Sequence, residues 1–189
     1  RMELELAPGA SRAVFAEVSC ADAPEEPKTR QRFLLSLRRR RSEQARYAAE
    51  RTRLESDNAV LNEVLERATA DLAMLTTELA TGPYPYAGVP WYSTTFGRDG
   101  VLTARECLWL DSSLAKGVLA FLASTQATVE DAERDAEPGK ILHEARRNEM
   151  ARTNEIPFGC YYGTADATPL FVALAGAYHR RTRDSEIVR

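Results

Sequence analysis

The residues able to do chemistry in this chain are carboxylates set among aromatics and glycines. One stretch runs Trp91-Tyr92-Ser93-Thr94-Thr95-Phe96-Gly97-Arg98-Asp99, and another ends Tyr161-Tyr162-Gly163-Thr164-Ala165-Asp166. Sugar chemistry needs this combination. Pyranose C–H faces stack on Trp and Tyr, and sugar hydroxyls take Arg, Asp and Glu as partners. Acetal cleavage needs a protonated carboxyl at the leaving oxygen and a second group opposite. Arg98-Asp99 reads either as a clamp for sugar hydroxyls or with Asp99 as the N-cap of the next helix. Asp166 reads either as a general acid or as a turn aspartate. As an acid, it must have its pKa raised by neighbouring aromatics against the helix N-terminus that lowers it. Glu144, Glu149 and Glu155 lie between, each also readable as surface charge. There is no Gly-rich phosphate loop, no helix with two histidines at metal spacing and no convincing Ser-His-Asp set. His143 stands alone, and His179 reads as a partner for a helix C-terminus. No metal and no cofactor is expected.

The elements that must position these residues are mostly helical. Residues 2–20 alternate as strands around a Pro8-Gly9 turn, and 21–28 form a polar linker with two prolines and a domain boundary. A helix is expected over 29–54, where nine arginines face two glutamates. Its Arg38-Arg39-Arg40-Arg41 run reads as an anion patch or as a solvated face. Ser56 or Asp57 should cap a second helix reaching Leu79. Its stripe of Leu61, Leu65, Ala68, Leu72, Leu75 and Leu79 suits a partner helix or one packed face. A structureless stretch is expected over 81–99, then helices over 100–109 and 112–127. Asp111 should cap the latter, and Gly117 implies close contact within it. An acidic exposed segment follows over 129–139, then a second aromatic loop over 156–167. Thr168 should cap the last helix, with Pro169 at its first position, reaching Arg181. The ending Asp184-Ser185-Glu186 reads as the start of another helix, so a truncated C-terminus is expected.

Composition narrows the classes. The chain has 189 residues, 44% hydrophobic and 28% charged, with net charge -3. This is ordinary globular usage with no global signal for nucleic acid or an anionic membrane. Cys20, Cys107 and Cys160 make neither a zinc spacing nor a disulfide framework, so a cytoplasmic location is expected.

Four stretches together resemble the amylo-α-1,6-glucosidase family of glycogen-debranching-type glycoside hydrolases. They are Gly88 to Gly100, Gly139-Lys140-Ile141-Leu142-His143-Glu144, Asn148-Glu149-Met150-Ala151, and Ile156 to Phe171 with its Asp166-Ala167-Thr168-Pro169 core. The match is strong over 81–183 and weaker over 1–80. It implies an (α/α)6 toroid whose N-terminal portion is 29–189, preceded over 1–20 by the last strands of a β-sandwich. It implies inverting cleavage of α-glucosidic bonds, with α-1,6 branch glucose the expected target and Asp166 the general acid. The Trp91 loop, with Tyr92, Phe96, Arg98 and Asp99, would bind the terminal glucose. His143, Glu144, Glu149, Tyr161 and Tyr162 would line the site. The family's general base lies on a later helix, outside these residues. Asn148 and Cys160 stand where a glycine and a larger polar residue are expected. The expected partners are an oligo- or polysaccharide and the missing C-terminal half of the toroid, with no nucleic acid and no membrane. Two alternatives remain: a same-fold glycosidase for another glycan or small glycoside, and a helical interaction or nucleic-acid-binding module built on the Arg-rich helix.

If the ring is cut partway round, helices meant to be sandwiched expose apolar faces. The isolated chain should then aggregate or be partly molten, and sharp two-state melting of a monomer by calorimetry would count against truncation.

Overall fold

The computed structural model describes residues 4–15, 29–49 and 52–187. The chain divides into two compact units, Arg1–Glu50 and Arg51–Arg189. The division groups the Arg-rich helix with the residues before it rather than with 51–189. The expected linker over 21–28 lies outside the described residues. Among the described residues the protein is mainly helical, with two small two-stranded sheets. None of its described helices is long and apolar enough to cross a membrane.

In the first unit, the N–H of Ala10 donates to Ala7 at 3.0 Å, closing the expected turn over Pro8 and Gly9. The strands expected over 2–20 do not form among residues 4–15. Alternating apolar residues make a strand only when a ladder partner takes their backbone groups. Helix α1 (Thr29–Ala49) bears the arginine run, and Arg39 pairs with Glu43 one turn on at 2.8 Å.

In the second unit, helix α2 (Ala59–Leu75) starts later than expected. The side chain of Asn58 accepts from the N–H groups of both Val60 and Leu61, so Asn58 is the cap in place of Ser56 or Asp57. The helix stops at Leu75 because the next residues pair. Strand β1 (Thr76–Leu79) and strand β2 (Gly82–Pro85) form an antiparallel hairpin in the register Thr77↔Tyr84 and Leu79↔Gly82. Leu79 is thus on a strand, and the stretch expected to be structureless opens with one. The prolines concealed it. Alternate pairs of an antiparallel ladder exchange no N–H bonds. Pro83 and Pro85 share that phase, so neither missing donor is felt. The α2 stripe is only half covered: Leu65 and Leu72 are partly buried, while Leu61 is exposed.

Strand β3 (Thr95–Phe96) leads into helix α3 (Gly97–Glu106), and helix α4 (Ser112–Ser124) follows with the expected Asp111 cap accepting from Ser113. Strand β4 (Glu144–Ala145), short helix α5 (Glu149–Arg152) and helix α6 (Ala167–Thr182) complete the unit. The core gathers Tyr84 of β2, Val101 and Ala104 of α3, and Leu174 and Tyr178 of α6 around Leu114, Val118, Leu119 and Leu122 of α4. Burying each such leucine removes about 1.5–3 kcal/mol worth of apolar surface from water. Helix α6 begins one residue before Thr168, which does not cap it. The Thr168 hydroxyl instead accepts from the Ile141 N–H at 3.1 Å, tying α6 to the strand region. Beyond α6, Asp184 accepts from the Glu186 N–H as a capping residue does. It also accepts from Lys116 at 3.0 Å and from the Tyr178 hydroxyl at 2.9 Å.

Gly117 confirms the close contact its sequence position suggests. A side chain there would collide with the backbone of Gly82 and Pro83, because β2 lies directly on α4. Gly117→Ala gains helix propensity worth about 1 kcal/mol, yet overpacking against backbone that cannot yield costs about 1–3 kcal/mol. The net outcome should be a lower melting temperature in a thermal denaturation scan, and an unchanged or raised one would refute the contact.

Candidate active-site cleft

Three separate segments are stitched into one surface by backbone hydrogen bonds. Strand β3 pairs antiparallel with β4, with Phe96 opposite Glu144 and Thr95 opposite Ala145. The Gly97 N–H donates to His143 at 2.8 Å, and the His143 N–H donates to Tyr161 at 2.7 Å. The Tyr161 N–H returns to Glu144 at 3.0 Å, and the Arg146 N–H donates to Phe158 at 2.7 Å. The Thr94 hydroxyl adds a bond to the Ala145 carbonyl. Gly97 is indispensable here, since any side chain on it would strike the Leu142 carbonyl.

On this frame six flat groups close a circuit. Tyr92 meets Phe96 edge-on with centroids 6.3 Å apart, Phe96 meets His143 at 6.2 Å, and His143 meets Tyr161 at 6.1 Å. Tyr161 meets Phe158 at 5.0 Å. The guanidinium of Arg146 completes the circuit, 4.4 Å from the Phe158 centroid and 4.3 Å from that of Tyr92. Edge-to-face pairs contribute about 0.5–1.5 kcal/mol each beyond their buried area. Behind the circuit, Glu144 is 5% exposed and accepts from Arg146 Nε at 2.8 Å. The hydroxyl of Tyr161 donates to Asp135 at 2.5 Å, which raises its pKa, because losing the proton would put two anions side by side. The Nδ1 of His143 is buried and makes no hydrogen bond.

Of the residues expected at a site, Tyr92, Phe96, His143, Glu144 and Tyr161 come together. Arg98 and Asp99 do not pair with each other. Neighbours on a helix point about 100° apart, and Arg98 reaches across to Asp166 with Nη1 3.2 Å from Oδ2. Asp99 is not the helix cap either: it lies in the first turn of α3, which Phe96 precedes without a side-chain cap bond. Tyr162 belongs to the core. Successive side chains of an extended segment face opposite ways, so Tyr161 enters the circuit while Tyr162 turns inward and donates to the Thr125 carbonyl at 2.7 Å. Trp91 is 84% exposed, and Glu149 is exposed in the first turn of α5. Asn148 caps α5 by accepting from Ala151 at 3.0 Å, which a glycine there could not do. Sequence reasoning missed Arg146 and Phe158. The signal available was the two-residue spacing of Glu144 and Arg146, which puts both on one face of an extended segment.

Asp166 departs from what its expected role as an acid requires. The Thr164 hydroxyl donates to its carboxylate, and this bond is the main cause holding its pKa below the ordinary aspartate value. Arg98 adds to the effect, and partial burial, which works the other way, is outweighed. The carboxyl is 40% exposed. It is therefore ionised in the free protein.

A cleft of about 350 Å³ opens beside the circuit, lined by Tyr86, Trp91, Tyr92, Ser93, Thr94, Thr95, Arg146, Arg147 and Asn148. Its walls are rings, hydroxyls and guanidiniums, and neither Asp166 nor any other carboxylate lines it. Among the described residues no cluster of three or more metal-binding side chains occurs. No protein-family model and no curated protein matches the chain.

The Asp166 environment gives a titration test. Its folded pKa is depressed, so its contribution to stability is present above the unfolded aspartate pKa and is lost as pH falls through the lower folded value. A carbon-detected NMR titration should place the Asp166 midpoint below that of free aspartate, and Thr164→Val and Arg98→Gln should each move it up. A midpoint unmoved by both variants would contradict the assigned causes.

Proposed function

We propose that the Arg51–Arg189 unit carries the sugar-binding part of a glycoside hydrolase site of the glycogen-debranching type. It acts on α-glucosidic bonds with inversion, and α-1,6-linked branch glucose of glycogen-like glucans is the substrate. One observation carries the reading: the stretches that bear the family resemblance, far apart in sequence, converge on one ring-walled surface. Residues 95–97, 143–146 and 158–161 are joined by backbone bonds, and Arg98 of the first motif meets Asp166 of the last. The neighbouring cleft suits a neutral pyranose. Trp91 and Tyr92 supply stacking faces, Ser93, Thr94 and Thr95 supply hydroxyls, and Glu144 offsets the charge of Arg146.

On this reading the helices belong to an (α/α)6 toroid, the residues before α1 belong to a β-sandwich, and the protein works in the cytoplasm. Asp166 lies outside the cleft, and it is the proton donor once a glucan extending beyond the cleft draws Arg98 onto its hydroxyls and dries the carboxyl. Inversion needs a second carboxyl about 6.5–9.5 Å away, and the resemblance assigns it beyond Arg189. Binding is therefore tested apart from turnover. Isomaltose should quench Trp91 emission, and Trp91→Ala should weaken binding about 3–10-fold by removing one stacking face. In the complete enzyme, Asp166→Asn should keep affinity while slowing α-glucan hydrolysis about 10²–10⁴-fold. The loss should be much smaller for glucosyl fluoride, whose leaving group needs no proton. Near-normal glucan hydrolysis by Asp166→Asn would remove Asp166 from the role of acid, and failure of the wild-type protein to bind any glucoside would end the reading.

A further inference from the structure

Arg146 lies between two of the resemblance-bearing stretches and within neither. Its Nε donates to the buried carboxylate of Glu144 at 2.8 Å. Tyr92 and Phe158 lie against its guanidinium, at 4.3 and 4.4 Å from their centroids. Its own backbone N–H is spent on Phe158. A guanidinium has five N–H donors in a fixed plane. With Nε taken by Glu144 and the rings against it, the Nη edge is what remains to offer a ligand. Arg146 lines the cleft beside Trp91 and Thr94, where that offer can be taken up.

We propose that Arg146 determines the specificity of the cleft: its Nη edge donates to two neighbouring hydroxyls of a pyranose held against Trp91 and Tyr92. The inference rests on the sugar-binding reading above and names the contact that selects among sugars. Two parallel N–H donors in a rigid plane match a vicinal diol as they match a carboxylate, and a lysine ammonium, a point charge on a flexible stem, does not. Glu144 and the two rings fix the angle of that plane. Rotating it away would strip a buried carboxylate of its partner, which is strongly unfavourable.

The test uses the full chain with Trp109→Phe, which leaves Trp91 as the sole tryptophan reporter of the two in the sequence. Methyl α-D-glucopyranoside and its four monodeoxy analogues are titrated by fluorescence. Two analogues lacking adjacent hydroxyls should bind about 10-fold more weakly or worse, the loss of a charge-assisted hydrogen bond. Arg146→Lys should weaken the parent sugar by a similar factor, yet cost nothing further with those two analogues. A variant that weakens all five ligands equally would show a merely structural Arg146 and overturn the inference. So would five ligands that bind the Arg146 protein alike, a comparison that requires no variant at Arg146 to fold. If the unsubstituted protein binds none of the five, the sugar-binding reading fails and takes the inference with it. If it binds them without a two-hydroxyl pattern, only the inference fails.

Discussion

The surface described here depends on how closely β2 approaches α3 and α4. Tyr84 is wholly enclosed at that junction, its ring edge-on to Phe121 at 4.9 Å and its hydroxyl donating to the Phe96 carbonyl at 2.9 Å. Burial pushes its phenol pKa far up, so the hydroxyl remains a donor at any ordinary pH. Leaving such a buried group unpaired costs about 1–3 kcal/mol, and Phe96 sits where α3 begins. The bond therefore fixes the end of α3 relative to the hairpin. Gly100 permits it, since a side chain there would occupy the space of the Tyr84 hydroxyl. The glycines flanking Arg98 and Asp99 thus serve a steric end: one admits the Leu142 carbonyl, the other the Tyr84 ring. Arg98 is aimed at Asp166 as a consequence of where that helix starts.

Electrostatics divides the surface into two parts. Glu144 and Arg146 form a pair largely withdrawn from water, and such a pair adds little net stability against an apolar replacement of equal shape. What it does is restrict geometry, because neither partner can leave without stranding the other. The ring circuit inherits that restriction through Arg146. Arg98 and Asp166 are half open to solvent, so their pairing is weak and exchangeable. One part of the surface is built to hold still, and the other can be rearranged by a ligand.

Local signals were legible wherever one residue settled the matter. Asp111 capped α4 and Gly117 marked a close approach, because both effects act within a few residues or through the absence of a side chain. The hairpin was hidden by Pro83 and Pro85, whose ladder phase depends on register, which no single position reveals. Asn58 displaced Ser56 because the Ser56 hydroxyl is engaged before the helix, accepting from the Asn58 N–H and donating to the Asn62 side chain, while Asn58 stands where its oxygen meets the Val60 and Leu61 N–H groups. Tyr92, Phe96 and Tyr161 stood out by their types and His143 entered only through the family resemblance, but which face of the chain each takes could not be read. Tyr161 and Tyr162 look equivalent as letters and part company on an extended backbone. Arg98 finding Asp166, 68 residues away, is a product of tertiary structure alone. So is the depressed pKa of Asp166 in the free protein, opposite in direction to what the acid role requires.

That reversal bears on how a proton donor could operate under the proposed function. A carboxyl with a permanently raised pKa carries its proton before substrate arrives, as burial alone would ensure. Asp166 instead rests as an anion, held by one hydroxyl and one guanidinium. Both partners are hydrogen-bond donors of the kind sugar hydroxyls can engage. A ligand that takes Arg98 for itself removes a positive charge from beside the carboxylate, and by covering the exposed side it removes water as well. Each change favours the protonated form, and both occur only with substrate present. The resting state then costs nothing in buried protonated acid, and Asp166 takes up a proton from solvent as substrate binds, where a leaving oxygen is in place to receive it. The exposed Arg98–Asp166 pair and the enclosed Glu144–Arg146 pair therefore suit opposite tasks: the first yields to the ligand, and the second gives the ligand a fixed edge to meet.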